Sequence, residues 1–184
     1  YSKLDYYSKP VIMVGVLGST PQKSMPYSYI VKLIDYVTSN FEVNILFNYG
    51  PYQKAEAIKI YEACKHKDAI IFDIYESNIR GFISLMNQCK LLIANEGGSV
   101  HIAKALDKPT FTIFSPYVLK SDWGSFEDGK QHTSVHLLDE KPGLFSISRE
   151  KRKEIEKDPT VLYNQLTPEI ILKKLIPFLK HHIK

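Results

Sequence analysis

Short apolar runs alternate with longer amphipathic stretches along most of the chain. Five of these runs are typical of strands buried on both faces, at residues 11–17, 43–49, 69–73, 91–95 and 110–114, and a weaker sixth lies at 133–138. The intervening segments carry apolar residues at helical spacing, for example in residues 55–66 and 79–88. This alternation predicts an α/β fold: a doubly wound, Rossmann-like parallel sheet of about six strands with helices on both faces.

Three further segments complete the predicted secondary structure. Pro26 stands at the predicted first position of a helix that carries apolar residues through to Val37. Residues 116–132 form a predicted long polar and aromatic loop that includes Trp123. The rest of the chain reads as charged helix and ends in an amphipathic helix, TPEIILKKLIPFLKHH, despite Pro177.

Two loops that contain glycine follow the first and fourth predicted strands, GSTPQK and NEGG. In the common strand order 3-2-1-4-5-6 these two strands are neighbours, and ligands bind between their carboxyl ends. Each loop leads into a helix N-terminus, where free amides and the helix dipole favour an anion. We therefore expect the two loops to face one another across a site for a diphosphate.

Three side chains near these loops are candidates for the same site. Lys23 would add a positive charge, and His101 would direct a ring N–H into the same space. Glu96 would repel phosphate, so we expect it to accept hydrogen bonds from sugar hydroxyls or from backbone amides. Taken singly, the Gly-Gly pair, His101 and Lys23 each have an ordinary explanation: a tight turn, a capping or packing histidine, and a solvated loop lysine. Trp123 is either a stacking platform or an anchor of its loop, and the anchor is favoured.

Several other site types do not fit the sequence. The first loop is not a P-loop, because Gln22 stands where that motif needs its second glycine and Pro21 lacks an N–H donor. No GxGxxG follows the first strand, which makes a dehydrogenase-type dinucleotide site a weak interpretation. The two cysteines, Cys64 and Cys89, lack CxxC spacing and are interpreted as buried free thiols in a reducing compartment, and no metal site is expected.

The bulk composition is that of one ordinary globular domain. The chain has 184 residues, of which 44% are hydrophobic and 24% charged, and a formal charge of +4. That mild excess suits an anionic ligand, a membrane surface or nucleic acid equally.

Both glycine loops resemble motifs of glycosyltransferase family 9, the lipopolysaccharide heptosyltransferases. GSTPQKSMP at 18–26 is similar to that family's Gly-Ala/Ser…Lys-x-Trp-Pro loop, and residues 95–116 are similar to its Asn-Asp-Thr/Ser-Gly-x-x-His motif. The resemblance runs from about Pro10 to the C-terminus and covers the family's C-terminal half. It implies a GT-B architecture, in which two Rossmann-like domains enclose the active site and the C-terminal one holds ADP-heptose or a related donor.

The resemblance assigns roles to individual residues of this sequence. Those expected to bind the donor are Gly18, Ser19, Thr20, Lys23, Glu96, Gly97, Gly98 and His101. Four positions depart from the family pattern: Met25 replaces Trp, Glu96 replaces Asp, Gly97 replaces Thr or Ser, and Ser115 replaces Gly. Gln53 lies near the place of the acidic residue that commonly reaches the ribose in this family. The resemblance therefore leaves the identity of the donor open.

By this resemblance the chain is the donor-binding domain of an inverting, metal-independent transferase that builds lipopolysaccharide or cell-envelope glycans, with no cofactor other than its nucleotide-sugar substrate. Residues 1–9 are interpreted as a linker from a missing N-terminal domain, and residues 10–184 as the nucleotide-sugar-binding domain. Lys23 would stabilise the leaving diphosphate. The family's general base, an Asp, belongs to the N-terminal half, so this chain alone is expected to hold no catalytic residue and to transfer little or nothing.

The expected partners are a nucleotide sugar and a lipid-linked or lipopolysaccharide acceptor, with no nucleic acid. The expected location is the cytoplasm, including the cytoplasmic face of the inner membrane. The basic residues Lys151–Lys153, Lys173 and Lys174 form either a peripheral membrane contact or a solvated helix face, and the latter is favoured. Two other functions stay open: a GT-B-like nucleotide-sugar epimerase or hydrolase, and a non-catalytic nucleotide-sugar-binding module.

Overall fold

A computed structural model describes residues 3–144, 150, 153–154, 157–158 and 160–183, except for the side chains of Gln22 and Thr160. The elements in chain order are β1 (Val11–Gly15), α1 (Tyr27–Asn40), β2 (Asn44–Asn48), α2 (Lys54–Ala63), β3 (Ile70–Ile71), α3 (Ile79–Gln88), β4 (Leu92–Asn95), α4 (Gly98–Ala105), β5 (Thr110–Ile113), α5 (Lys120–Trp123), β6 (His132–Val135), α6 (Leu137–Glu140), α7 (Thr160–Tyr163) and α8 (Pro168–His182).

The six strands form one parallel sheet in the order β3-β2-β1-β4-β5-β6. Val14 of β1 pairs with Phe47 of β2 on one side and with Ile93 of β4 on the other. The predicted fold class and the predicted neighbourhood of strands one and four are therefore confirmed. The chain reverses its direction of travel across the sheet between β1 and β4, which leaves a crevice at their carboxyl ends.

The core lies in two layers, one on each face of the sheet. Helices α1, α2 and α8 cover the face that buries Ile12 and Val14, and helices α3 and α4 cover the face that buries Val11 and Met13. Successive residues of a strand point to opposite faces. The continuous apolar run of β1 arises because both faces of its strand are covered.

The largest difference from the prediction concerns the sixth strand. The sequence predicts it at 133–138, but β6 ends at Val135 and residues 136–138 lie outside the sheet. The ring of His136 accepts a hydrogen bond from the amide of Leu138, and the carboxylate of Asp139 accepts one from the amide of His136. This capping box starts α6 and so ends β6 at Val135.

Smaller departures concern helix and strand ends. Strand β3 spans only Ile70–Ile71 rather than 69–73. The predicted loop at 116–132 contains the short helix α5, and Pro26 caps α1 instead of opening it. The two cysteines lie directly after α2 and α3 rather than inside them, and both are buried free thiols as predicted.

The C-terminal helix α8 forms as predicted and continues through Pro177. The charged helix expected before α8 falls partly on 145–149, 151–152, 155–156 and 159, which lie outside the described residues. Among the residues that are described, no helix has the length and apolar character needed to cross a bilayer.

Candidate ligand-binding site

A cleft of about 450 Å³ opens at the carboxyl edge of the sheet, where the loops after β1, β2 and β4 meet. Gly18 and Ser19 of the first loop and Glu96, Gly97 and Gly98 of the last border the same space. The two glycine loops, which are far apart in the sequence, therefore face one another as expected. The strand order brings them together because β1 and β4 are adjacent.

The loop after β1 is held in a compact turn by the side chain of Ser24. The amide of Gly18 donates to the Ser24 hydroxyl at 2.9 Å, and that hydroxyl donates to the Thr20 carbonyl at 3.0 Å. A Cβ atom on Gly18 would lie 2.1 Å from the carbonyl oxygen of Lys23. The loop therefore needs glycine at position 18 because another part of the chain occupies the space.

Gln53 ties this loop to the loop after β2. Its side-chain nitrogen donates to the Gly18 carbonyl at 2.8 Å, and its side-chain oxygen accepts from the Gly50 amide at 2.7 Å. Both ends of the amide are thus engaged within the protein. Gln53 holds the two loops of the cleft together. Its side-chain amide is therefore not free to bind a ribose in the way that the acidic residue of the family does.

The loop after β4 depends on a glycine with an unusual backbone. Gly97 caps α4 with φ 152° and ψ −172°, a region that residues with a side chain rarely adopt. The next residues, Gly98 and Ser99, begin α4 and border the cleft. The first amides of a helix have no acceptor within the helix, so this turn offers N–H donors to an anion.

Glu96 lies on the floor of the cleft with its side chain only 1% exposed. One carboxylate oxygen, Oε2, accepts a hydrogen bond from the Ser115 amide at 2.8 Å. The other, Oε1, has no hydrogen-bond partner among the described residues, and its nearest cation is the Lys23 Nζ at 3.8 Å. Burial raises the pKa of Glu96, and the Ser115 amide and hydroxyl, the Glu96 amide and the Lys23 charge only partly oppose that rise.

Ser115 and Tyr163 form the buried support behind Glu96. The Ser115 hydroxyl lies 2.8 Å from the Tyr163 hydroxyl, which also lies 3.4 Å from the Asn95 side-chain nitrogen. Two of the positions that depart from the family pattern, 96 and 115, thus contact each other directly.

Lys23, Trp123 and His101 form a cluster next to the cleft, on the side of Glu96. The Lys23 Nζ lies 4.9 Å from the centre of the Trp123 ring, and the His101 ring centre lies 6.3 Å from it. Lys23, His101 and Thr20 are not among the residues that line the 450 Å³ cleft itself, and His101 lines a separate cavity with Lys104 and Phe126.

A second groove, of about 710 Å³, adjoins the cleft on the side of α1 and α2. The two share Leu17, Ser19, Tyr52 and Gln53. The sequence analysis noted only Gln53 in the loop after β2 and did not count it among the site residues, whereas this loop contributes 48–53 to the cleft. The predicted strand order places β2 next to β1, so that order could have shown that the loop after β2 borders the cleft. Tyr163, in contrast, reaches the site from the end of the chain and no local pattern identified it.

Within the described part of the chain, no group of three or more His, Cys, Asp or Glu side chains is placed to hold a metal ion. Lys23 is the cation that the structure places against the cleft floor, 3.8 Å from the Glu96 carboxylate.

Comparison with known proteins identifies the family. Residues 2–142 match the family model described as glycosyltransferase family 9 (heptosyltransferase). No curated protein matches the chain significantly.

Several solved structures share the fold. A glycosyl transferase family 9 protein from Veillonella parvula DSM 2008 superimposes with a TM-score of 0.72 at 17% identity, covering 94% of this chain and 46% of that one. The ADP-heptose lps heptosyltransferase II of E. coli gives 0.67 at 14% identity, covering 94% and 47%. The E. coli heptosyltransferase WaaC with ADP gives 0.62 at 14% identity, covering 95% and 45%.

The chain thus spans about half the length of these structures. Because the family model matches 2–142 of its 184 residues, the chain belongs to glycosyltransferase family 9.

Proposed function

We propose that this chain is the donor-binding domain of an inverting, metal-independent glycosyltransferase of the heptosyltransferase type. Its ligand is a nucleoside-diphosphate sugar, and ADP-heptose is the first candidate because a structural neighbour is named for that donor. The observation that carries the proposal is the single cleft shared by the loops after β1 and β4.

The charges around the cleft support a diphosphate ligand. The N-terminus of α4 offers amides without an acceptor in the helix and the positive end of a helix dipole. Lys23 supplies a full positive charge 3.8 Å from the Glu96 carboxylate, and burial raises the pKa of that carboxyl. Protonation of Glu96 would leave the Lys23 charge without its ion-pair partner and available to phosphate.

The same groups serve the chemistry of transfer. When the bond between the sugar and the diphosphate breaks, negative charge grows on the leaving phosphate oxygen, and Lys23 with the α4 amides stabilises that charge without a metal ion. Inversion requires a base that deprotonates the acceptor on the opposite face of the sugar. We propose that this base and the acceptor site belong to the part of the structural neighbours that the chain does not span.

At the cellular level we propose lipopolysaccharide or envelope-glycan synthesis, with a lipid-linked acceptor, at the cytoplasmic face of the membrane. An epimerase function has weaker support: the UDP-GlcNAc 2-epimerase of Methanocaldococcus jannaschii shares the fold with a TM-score of 0.52 at 15% identity. The family match favours transfer.

Calorimetric titration with ADP, UDP, GDP and CMP tests the proposal. We expect one nucleotide to bind best and Lys23→Ala to weaken it roughly ten- to hundredfold, the cost of losing a hydrogen bond to a charged group. Lys90→Ala is the matched control, because Lys90 is exposed next to a cavity at the opposite, amino edge of the sheet. Failure of all four nucleotides to bind, or equal binding by wild type and Lys23→Ala, contradicts the proposal.

A further inference from the structure

Trp123 occupies an unusual position for an exposed aromatic side chain. It is 39% exposed, yet the Lys23 ammonium lies over its ring and the His101 ring lies beside it at an interplanar angle of 32°. The same ammonium is 3.8 Å from the Glu96 Oε1 on the cleft floor, an oxygen to which the described residues donate no hydrogen bond. One lysine therefore connects the floor of the cleft to the face of an indole ring.

We propose that Trp123 is the platform on which the pyranose ring of the donor packs, beside the Glu96 carboxyl that the sequence analysis already expects to accept from a sugar hydroxyl or a backbone amide. This inference rests on the proposed function and adds one residue, Trp123, to the part of the site that holds the sugar. The sequence leaves a stacking platform and a loop anchor open for Trp123 and favours the anchor, and the proposal takes the platform.

The chemistry of these side chains fits a sugar. A pyranose presents C–H groups on a face and hydroxyls around its edge, so it needs an apolar surface and polar acceptors together. The indole of Trp123 is a rigid apolar surface, and the Glu96 Oε1 is a buried acceptor that the described residues leave unsatisfied. An orphaned buried oxygen is costly in the free protein, which a ligand hydroxyl would relieve.

The backbone on the N-terminal side of Trp123 is held by two contacts within the protein. The carbonyl of Val118, two residues before α5, lies 2.7 Å from the His136 ring just after β6. Lys120 at the start of α5 lies 3.7 Å from the Asp139 carboxylate. With its backbone held in this way, Trp123 has only side-chain freedom to lose when a ligand packs on its ring.

Lys23 would exchange partners when the donor binds. Without ligand its ammonium lies between the Glu96 carboxylate and the Trp123 ring, a cation–π geometry. A diphosphate at the α4 N-terminus is a stronger partner for the ammonium. Movement of Lys23 toward the phosphate uncovers both the indole face and the Glu96 oxygen, the two groups that the sugar needs.

The test separates the sugar from the nucleotide. Calorimetry gives the dissociation constants for three pairs of ligands: ADP and ADP-heptose, ADP and ADP-glucose, and UDP and UDP-glucose. Within each pair, the dissociation constant of the nucleoside diphosphate divided by that of its sugar derivative measures the affinity gained from the sugar. We expect Trp123→Leu to lower that ratio about five- to tenfold in the pair with the largest gain, as expected for losing on the order of 50 Å² of apolar contact. The dissociation constant of the nucleoside diphosphate alone should change less than about twofold.

Two variants serve as controls. Trp123→Tyr keeps an aromatic face and should retain most of the ratio. Phe126→Leu removes a more exposed ring, 80% exposed, from the same segment and should leave the ratio unchanged. An equal loss for the nucleoside diphosphate and its sugar derivative, an unchanged ratio in Trp123→Leu, or the absence of any sugar gain in the wild type overturns the inference. In each of these cases nucleotide binding itself still stands, so the proposed function is judged separately.

Fluorescence of the wild type gives a second readout that needs no variant. Trp123 is the chain's single tryptophan, so its emission reports this position alone. The nucleotide sugar should shift the emission maximum to shorter wavelength than the matching nucleoside diphosphate does, because the sugar shields the indole from water. Identical spectra with both ligands at saturation would also overturn the inference.

Discussion

At the scale of the single residue, Glu96 is the least ordinary feature of this protein. Its side chain is almost fully buried, one oxygen is bonded to the Ser115 amide, and the other faces the Lys23 ammonium. Burial of a carboxyl favours its neutral form. The raised pKa makes it easier for Glu96 to lose its negative charge, which favours an anionic ligand above it.

The raised pKa of Glu96 makes stability depend on pH in a definite direction. A group whose pKa is higher in the folded than in the unfolded state stabilises the fold fully below its unfolded pKa and loses that contribution as pH rises through the folded pKa. We expect the free energy of unfolding of wild type, relative to that of Glu96→Gln, to fall as pH rises from about 4 to 7. Urea unfolding across that range measures it.

Glu62→Gln is the control for this series, because it removes a carboxylate whose side chain is 65% exposed. The free energy of unfolding of Glu62→Gln should change with pH in the same way as that of wild type. A Glu96→Gln curve that also runs parallel to wild type would refute the interpretation of the buried carboxyl.

At the scale of the elements, the cleft is built from loops rather than from the helices and strands themselves. Gln53, at the start of α2, joins the loop after β1 to the loop after β2 through Gly18 and Gly50. The loop after β4 is shaped instead by the backbone of Gly97. The relative position of the three loops thus depends on a few polar contacts at the sheet's edge.

We expect Gln53→Glu to destabilise the protein by about 1–3 kcal/mol, because the carboxylate cannot donate to the Gly18 carbonyl and leaves that oxygen without its partner. Amide hydrogen exchange at Gly18 and Gly50, followed by NMR, should accelerate more than exchange in β5 on the far side of the cleft. Gln131→Glu, at a surface position remote from the cleft, is the matched control. Uniform acceleration in both regions would show that Gln53 acts on the whole fold and not on the loops.

At the scale of the whole molecule, two apolar layers enclose one sheet, and each contains one buried thiol. Cys64 lies in the layer with α1, α2 and α8, and Cys89 in the layer with α3 and α4. Burial raises the pKa of each thiol to about 12. Neither is therefore available as a thiolate at neutral pH while the fold is intact.

The two thiols consequently report opening of the two layers. We expect both to resist a thiol reagent such as DTNB under native conditions and to react together as urea unfolds the chain, since both layers pack on the same sheet. Ser77→Cys places a thiol at an exposed position and should react at once, in the absence of urea. Reaction of one buried cysteine well before the other would mean that one layer opens independently.

The sequence by itself determined the sheet, its strand order and the pairing of the glycine loops. These follow from local patterns: continuous apolar runs mark strands covered on both faces, and a strand order of this class places the ends of β1 and β4 side by side. The family membership also follows from motifs that are local in the sequence. The spacing of residues along the sequence was enough to recognise each motif, because each motif lies within one consecutive strand, loop and helix.

Tertiary structure decided what the individual side chains near the cleft contact. Gln53 is engaged on both sides, Glu96 is bonded to Ser115 and supported by Tyr163, and Lys23 lies over Trp123. Each of these contacts joins segments that are distant in the sequence, so no periodicity or spacing encodes them. They depend on packing at the carboxyl edge of the sheet, where loops with no repeating pattern meet.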